Sequence, residues 1–306
     1  MAAILFPSRR RRAPFRRRRV ITRRRFPARR RRVVGRRRPR ASRVSARRIL
    51  QVSSIKKHDT QLGSTSTAIT PIAADLFDGN NYFLWVPTYL PDYDEDVGES
   101  DFRRERSSIF FRGVRENVFL STAISLTWRR VAFWTHERLA VGKPIEAVPG
   151  PDGHIALRRP LVPFLPQTGQ TDQVTGSILW PGTAGVDFTE DTRPSLRLDS
   201  ANVRVVYDKR ITLNPGLNVT LPANRGHRLN VKRWHPVNRN LMYRTVERGS
   251  DERNPPNEEG WVNTGPQSPG NFYILDIISS GPDVLPGSGE LIGSFNTQST
   301  VYWHER

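Results

Sequence analysis

The chain has 306 residues and a formal net charge of +20, from 49 basic and 29 acidic side chains. It has no cysteine, which excludes disulfides and thiolate metal sites, and no apolar run approaches the ~18–20 residues that span a bilayer. The charge is unevenly placed. Residues 1–50 hold 22 arginines and no Lys, Asp or Glu, so the other 27 basic residues face all 29 acidic ones and the body is close to neutral. Such asymmetry points to a polyanionic partner for the basic end.

The first residues, Ala2 to Phe6, are apolar and arginine follows them. A secretory leader has the reverse order, so the protein is expected to be soluble and intracellular when made, with no membrane partner. Arginine then comes in clusters: Arg9, Arg10, Arg11 and Arg12; Arg16, Arg17, Arg18 and Arg19; Arg23, Arg24 and Arg25; Arg29, Arg30, Arg31 and Arg32; Arg36, Arg37 and Arg38, with Arg40 beyond Pro39. Like charges at this density repel, and Pro7, Pro14, Pro27 and Gly35 interrupt them. No face can bury enough apolar area to offset the entropy of ordering, so residues 1–52 are expected to form a disordered arm. A guanidinium pairs phosphate oxygens bidentately and stacks on bases, which makes these arginines candidate nucleic-acid ligands. Their binding should weaken steeply with salt as counterions are released. Phe6, Phe15 and Phe26 either stack on unpaired bases or act as spacers. The same run reads as a nuclear localisation signal, with import receptors as partners.

From residue 53 the composition turns to β-branched and aromatic runs. Candidate strands are 82–89, 108–112, 116–122, 125–135, 177–180, 202–213, 228–234, 241–246, 272–279 and 291–303, separated by turn residues such as Gly113, Pro181-Gly182 and Asn214-Pro215-Gly216. Val203, Val205, Tyr207, Ile211 and Leu213 share the period of a half-buried strand. A short helix is expected within 184–200. Many short strands without a βαβ rhythm make residues 53–306 an all-β, antiparallel sandwich or barrel. The connections 91–106, 136–176 and 247–270 are long enough to be expected to have a role of their own, which in a shell-forming sandwich is contact with neighbours and the outer surface.

A second basic stretch, Arg225, His227, Arg228, Lys232 and Arg233, lies beside Trp234 and His235. Arg228, Asn230 and Lys232 alternate with Leu229, Val231 and Arg233. If the second set faces the core, Arg228 and Lys232 face outward and touch nucleic acid, as would Lys56 and Lys57, beside His58, where the arm enters the body. Ordinary solvated strand faces explain the same pattern equally well. Chemistry of other kinds is weakly represented. Asp92 to Gly98 resembles a calcium loop but has Val97 and Arg103 where Gly and Glu are needed. The six histidines show no metal-ligand spacing. There is no nucleotide-binding glycine motif or nucleophile elbow, and Glu258 and Glu259 sit in a Pro/Asn-rich loop. No cofactor, metal or catalytic residue is expected, and the chain does not read as an enzyme.

Several short patterns are more telling as an ordered set. They are Lys56-Lys57-His58-Asp59-Thr60, Phe111-Arg112-Gly113-Val114-Arg115-Glu116-Asn117, Trp128-Arg129-Arg130 before Val131-Ala132-Phe133, Trp234-His235, and the terminal Val301-Tyr302-Trp303-His304-Glu305. Together they resemble the capsid proteins of genomoviruses, small circular single-stranded DNA viruses whose coat proteins are similar to those of geminiviruses. The matching runs from about residue 56 to the C-terminus.

The resemblance implies a jelly-roll sandwich of about eight strands with long loops and an icosahedral homo-oligomer of about 60 copies. It also implies packaging of a circular single-stranded DNA genome, assembly in the host nucleus, and residence in the virion. About 60 copies carrying the arginines of residues 1–50 would bring roughly 1,300 positive charges inside, suited to a polyanion on the order of a thousand or more nucleotides. The alternative is a non-viral nucleic-acid-binding structural protein with a basic tail, which predicts monomers or small oligomers instead of closed particles. DNA in preference to RNA rests on the resemblance alone.

Overall fold

The body contains strands of two kinds, those with unbroken apolar runs, such as Asn80–Trp85 and Asn271–Ser280 of one sheet, and alternating ones, such as Ile55–Ser64, Ser108–Thr122 and His227–Met242 of the other. A computed structural model describes residues 53–91, 103–146, 156–164, 170–215, 226–243, 260–280 and 290–305, all within the unit Ala46–Arg306. The arginine-rich residues 1–50, with the disorder expected of them, and the acidic loop from Asp92 lie outside the described residues. The elements in chain order are β1 (Ile55–Ser64), β2 (Ala74–Phe77), β3 (Asn80–Trp85), β4 (Ser108–Thr122), β5 (Leu126–Thr135), β6 (Ile145–Glu146), β7 (Leu157–Pro160), α1 (Gln170–Leu179), β8 (Arg204–Leu213), β9 (His227–Met242), β10 (Asn271–Ser280) and β11 (Leu291–Glu305).

The protein is an all-β sandwich. The larger sheet has the order β6-β7-β1-β11-β4-β9, with β2 also paired to β11, and the smaller one the order β3-β10-β5-β8. Pairing is antiparallel throughout except between β1 and β7. Between the sheets lie Trp85, Phe111, Val114, Ala132, Ile274, Val301 and Trp303 at one end, and Leu76, Phe83, Val118, Trp128, Ile278 and Phe295 at the other.

The smaller sheet is covered on its second face as well. Tyr82, Leu84, Val131, Phe133, Tyr273 and Leu275 pack there against Leu179 and Trp180 at the end of α1, and against Phe188, Leu198 and Val203 of the following segment. Strands covered on both sides read as unbroken apolar runs, which is why Tyr82–Trp85 and Phe272–Ile278 show no alternation. Arg129 of β5 pins the cover. Its Nε and Nη2 donate to Asp208 at 3.0 and 2.6 Å, and its Nη1 donates to the carbonyls of Pro194 and Leu196 at 2.8 and 2.5 Å.

Several boundaries differ from the sequence reading. Residues 177–180 close a helix, because a short apolar run has no period that separates strand from buried helix. The stretches 108–112 and 116–122 form one strand, since Gly113 makes a bulge and not a turn. Likewise 228–234 extends through residue 242 as a single β9. Val205 is exposed, because a bulge opposite Ala132 and Phe133 shifts the register of β8. Within 184–200 the helix is one 3-10 turn, Arg193–Ser195. The sequence reading missed β1, β2, β6 and β7, which are polar or very short.

Candidate nucleic-acid interface

The larger sheet alternates because one of its faces is open. Inward side chains of β1, β11, β4 and β9 fill the core, and the register aligns the outward ones in rows across the four strands. Lys56 lies beside His304, which lies beside Phe110. His58 lies beside Tyr302, followed by Gly113. Then come Thr60, Thr300, Arg115 and Trp234; Gln298, Asn117 and Lys232; and Ser294, Ser121 and Arg228. None of these outward residues on the four strands is Asp or Glu. Asp75 of β2, opposite Ser294 at the far end, is an exposed acid on this side.

Alternation along β9 turns Arg228, Asn230 and Lys232 outward and leaves Leu229, Val231 and Arg233 half-buried against the core. Lys56 also joins this face. Lys57 does not: the period-2 pleat turns it inward, where it is 6% exposed. Its ammonium donates to Glu105 at 2.6 Å and to the Arg103 carbonyl at 3.1 Å, with Glu305 at 3.5 Å. This is a correction to its expected place among the nucleic-acid ligands. Lys57 ties β1 to the segment 103–105 and to Glu305 of β11, a carboxylate that also accepts from Trp303 Nε1 at 2.8 Å. The arginines from Arg9 to Arg40 fall outside the described residues.

The open face is indented by a groove of about 370 Å³, lined by Lys56, Arg112, Arg115, Trp234, Tyr302 and His304 among others. Its shape depends on Gly113. At φ +149° this glycine sits in the bulge of β4, and a Cβ there would come within 2.3 Å of the His235 carbonyl and 2.9 Å of the Trp234 ring. The missing side chain lets Trp234 lie against the β4 backbone. Tyr302 meets the Trp234 ring edge-on at 5.9 Å and stacks with His58 at 6.0 Å. Arg112 is aimed by Asn238, whose Oδ1 accepts from Nη1 at 2.7 Å. Burial, then the neighbouring cations Arg112 and Lys56, lower the pKa of His304 below its ordinary value.

No protein-family model matches this chain. No curated protein matches it.

Chemically, the face suits a polyanion with exposed rings: fixed cations for phosphate, and aromatic surface for bases. Among the described residues no group of three or more His, Asp or Glu is placed to hold a metal. The carboxylates of Glu116 and Asp276 are fully buried between the sheets. Arg130 Nε and Nη2 donate to the two oxygens of Asp276 at 2.7 and 2.8 Å, and its Nη1 to Glu116 at 2.8 Å. Arg159 bonds both acids, reaching Asp276 at 2.6 Å. Trp128 Nε1 donates to Asp276 at 2.8 Å, and His235 lies 3.3 Å from Glu116. Burial raises the pKa of Glu116, but Arg130 and Arg159 outweigh it and hold the carboxyl well below the usual range.

Of the residues that the sequence singles out, Lys56, Arg228 and Lys232 lie on this face; Arg112, Arg115, Trp234 and Tyr302, which line its groove, are not among them. Those four stand inside the patterns that carry the family resemblance. Only the strand register shows that they converge.

Proposed function

We propose that this chain is the coat protein of a small virus, a self-assembling shell subunit that packages single-stranded nucleic acid. The strand orders β1-β11-β4-β9 and β3-β10-β5-β8 are read as the two sheets of a jelly roll. The observation that carries the reading is a division of charge. Residues 1–50 are basic with no acid at all, and the folded body adds an open sheet face on which β1, β11, β4 and β9 present cations, amides and rings without a carboxylate. Arginine neutralises phosphate in bulk, and the face meets the strand where it runs along the shell.

The unpaired edges support assembly. β8 and β9 end their sheets, and Tyr207 meets His235 edge-on at 5.2 Å, so the two edges lie side by side. They expose Val205, Val206 and Met242, apolar edge surface of the kind that neighbouring copies cover. Among the described residues no helix is long and apolar enough to cross a membrane. On this reading the protein is structural, not an enzyme, resides in the virion, and passes through the host nucleus using its basic segment as an import signal. The family resemblance supports a circular single-stranded DNA as the packaged genome.

Electron microscopy of the purified full-length protein tests the reading. Uniform closed particles near ~20 nm, the size set by about 60 subunits of this mass, with nuclease-protected nucleic acid inside, are the expected result. Removal of residues 1–50 is expected to abolish protection of nucleic acid. Soluble monomers or small oligomers that form no closed particle overturn the proposal in favour of a non-viral nucleic-acid-binding protein.

A further inference from the structure

Trp234 is costly to leave where it is. It is 48% exposed, on an open sheet face, and the chain keeps a glycine at 113 that gives it room. The ring is also held still: the Gly113 backbone lies under it, and Tyr302 stands against its edge at 5.9 Å. A large aromatic surface fixed in place and left uncovered is a stacking platform, since little ordering entropy remains to be lost when a second ring lands on it.

The surroundings specify the ring's chemistry. Lys56, Arg112 and Arg115 line the same groove, and none of the three forms an ion pair with the described residues. Arg115 is the register partner of Trp234. Arg112 is held in position by Asn238, which adopts a left-handed backbone, φ 50°, unusual for a residue other than glycine. A groove with fixed cations around one platform matches a base flanked by phosphates. An acidic peptide would satisfy the cations but would leave the indole without a partner.

We infer that the groove at Trp234 binds one unpaired nucleotide, its base stacked on the indole and its adjoining phosphates held by Arg112, Arg115 and Lys56. This rests on the coat-protein reading for the source of the strand, which is the packaged genome. The site selects single strand over duplex, because bases stacked inside a duplex offer no free face. It is sequence-tolerant, because every base has a face to stack.

The test uses full-length protein and a single-stranded oligonucleotide carrying 5-bromodeoxyuridine, irradiated and mapped by mass spectrometry. Adducts are expected on Trp234 or Tyr302, and a duplex of the same sequence gives none there. Trp234→Ala is expected to lower adduct yield in this region about tenfold. Total oligonucleotide retained, which residues 1–50 dominate, should change by less than about twofold. Trp234→Phe should recover part of the yield. Arg115→Gln, which leaves the platform untouched, should also lower it. Adducts confined to residues 1–50, or equal yields from single strand and duplex at Trp234, overturn the inference and leave the coat-protein reading standing. Failure of the full-length protein to retain any oligonucleotide overturns both.

Discussion

Arg115 and Glu116 are neighbours in the chain and belong to opposite worlds. Arg115 points onto the open face with Lys56, Arg112, Arg228 and Lys232, where no carboxylate of β1, β11, β4 or β9 answers it. Glu116 points between the sheets into a closed set of two acids and two arginines, all fully or nearly fully buried. Inward charge is balanced within the molecule and is used to hold the sandwich. Outward charge is left unbalanced and is available to a partner. The same residue types therefore carry different meanings, and the pleat of a strand sorts them.

The contrast is broken most severely from the inside. Asp276→Asn leaves the guanidinium groups of Arg130 and Arg159 short of a counter-charge in a dry core, and is expected to destabilise the fold by about 3–5 kcal/mol. Chemical denaturation measures this, and the loss should persist at high salt because the site excludes ions.

Another interior carboxyl behaves differently. Burial pushes Asp59 up to about 6, although Gln61 donates to it at 2.9 Å and Arg103 and His58 act in the lowering direction. A raised acid is protonated in the folded state at pH values where the unfolded chain has already lost the proton. Its contribution to stability is greatest at low pH and declines as pH rises from about 4 through 6, by roughly 2–3 kcal/mol in all. Asp59→Asn should flatten that part of the stability–pH curve, and an unchanged slope would remove Asp59 as its cause.

Gly113→Ala joins the two worlds, since it strains the β4 bulge and displaces Trp234. A non-glycine residue in that backbone conformation costs about 1–3 kcal/mol, seen as a lowered Tm. Nucleic-acid crosslinking at Trp234 should fall with it.

The smallest effect on stability belongs to the open face. The double substitution Arg228→Gln and Lys232→Gln should change stability by less than about 0.5 kcal/mol. It should also reduce the slope of log affinity against log salt by about 1.4, the value for two phosphate contacts to a single strand. A large loss of stability with no change in slope would reverse the assignment of these residues.

The comparison also explains which parts of the molecule were legible beforehand. The strands β5, β10 and β11 were read close to their observed limits, because their runs are long, β-branched and aromatic. The outward turn of Arg228 and Lys232 followed from period-2 alternation in β9. Lys57 was misplaced, since two adjacent lysines look alike until the pairing of β1 with β11 assigns one to each face. Residues 177–180, at the close of α1, read as strand because this apolar run is only four residues long and its burial comes from a sheet distant in sequence.

By itself, the sequence determined the separation of an arginine-only segment from a near-neutral β body, since net charge and hydrophobic period are local properties that composition and spacing carry directly. The tertiary structure decided which charges neutralise one another and which remain open. Glu116 meets Arg159 across 43 positions, Asp276 meets Arg130 across 146, and Trp234 reaches Tyr302 only through the strand between them. Pairing of that kind depends on register, and register is settled when whole sheets bury their inward faces together.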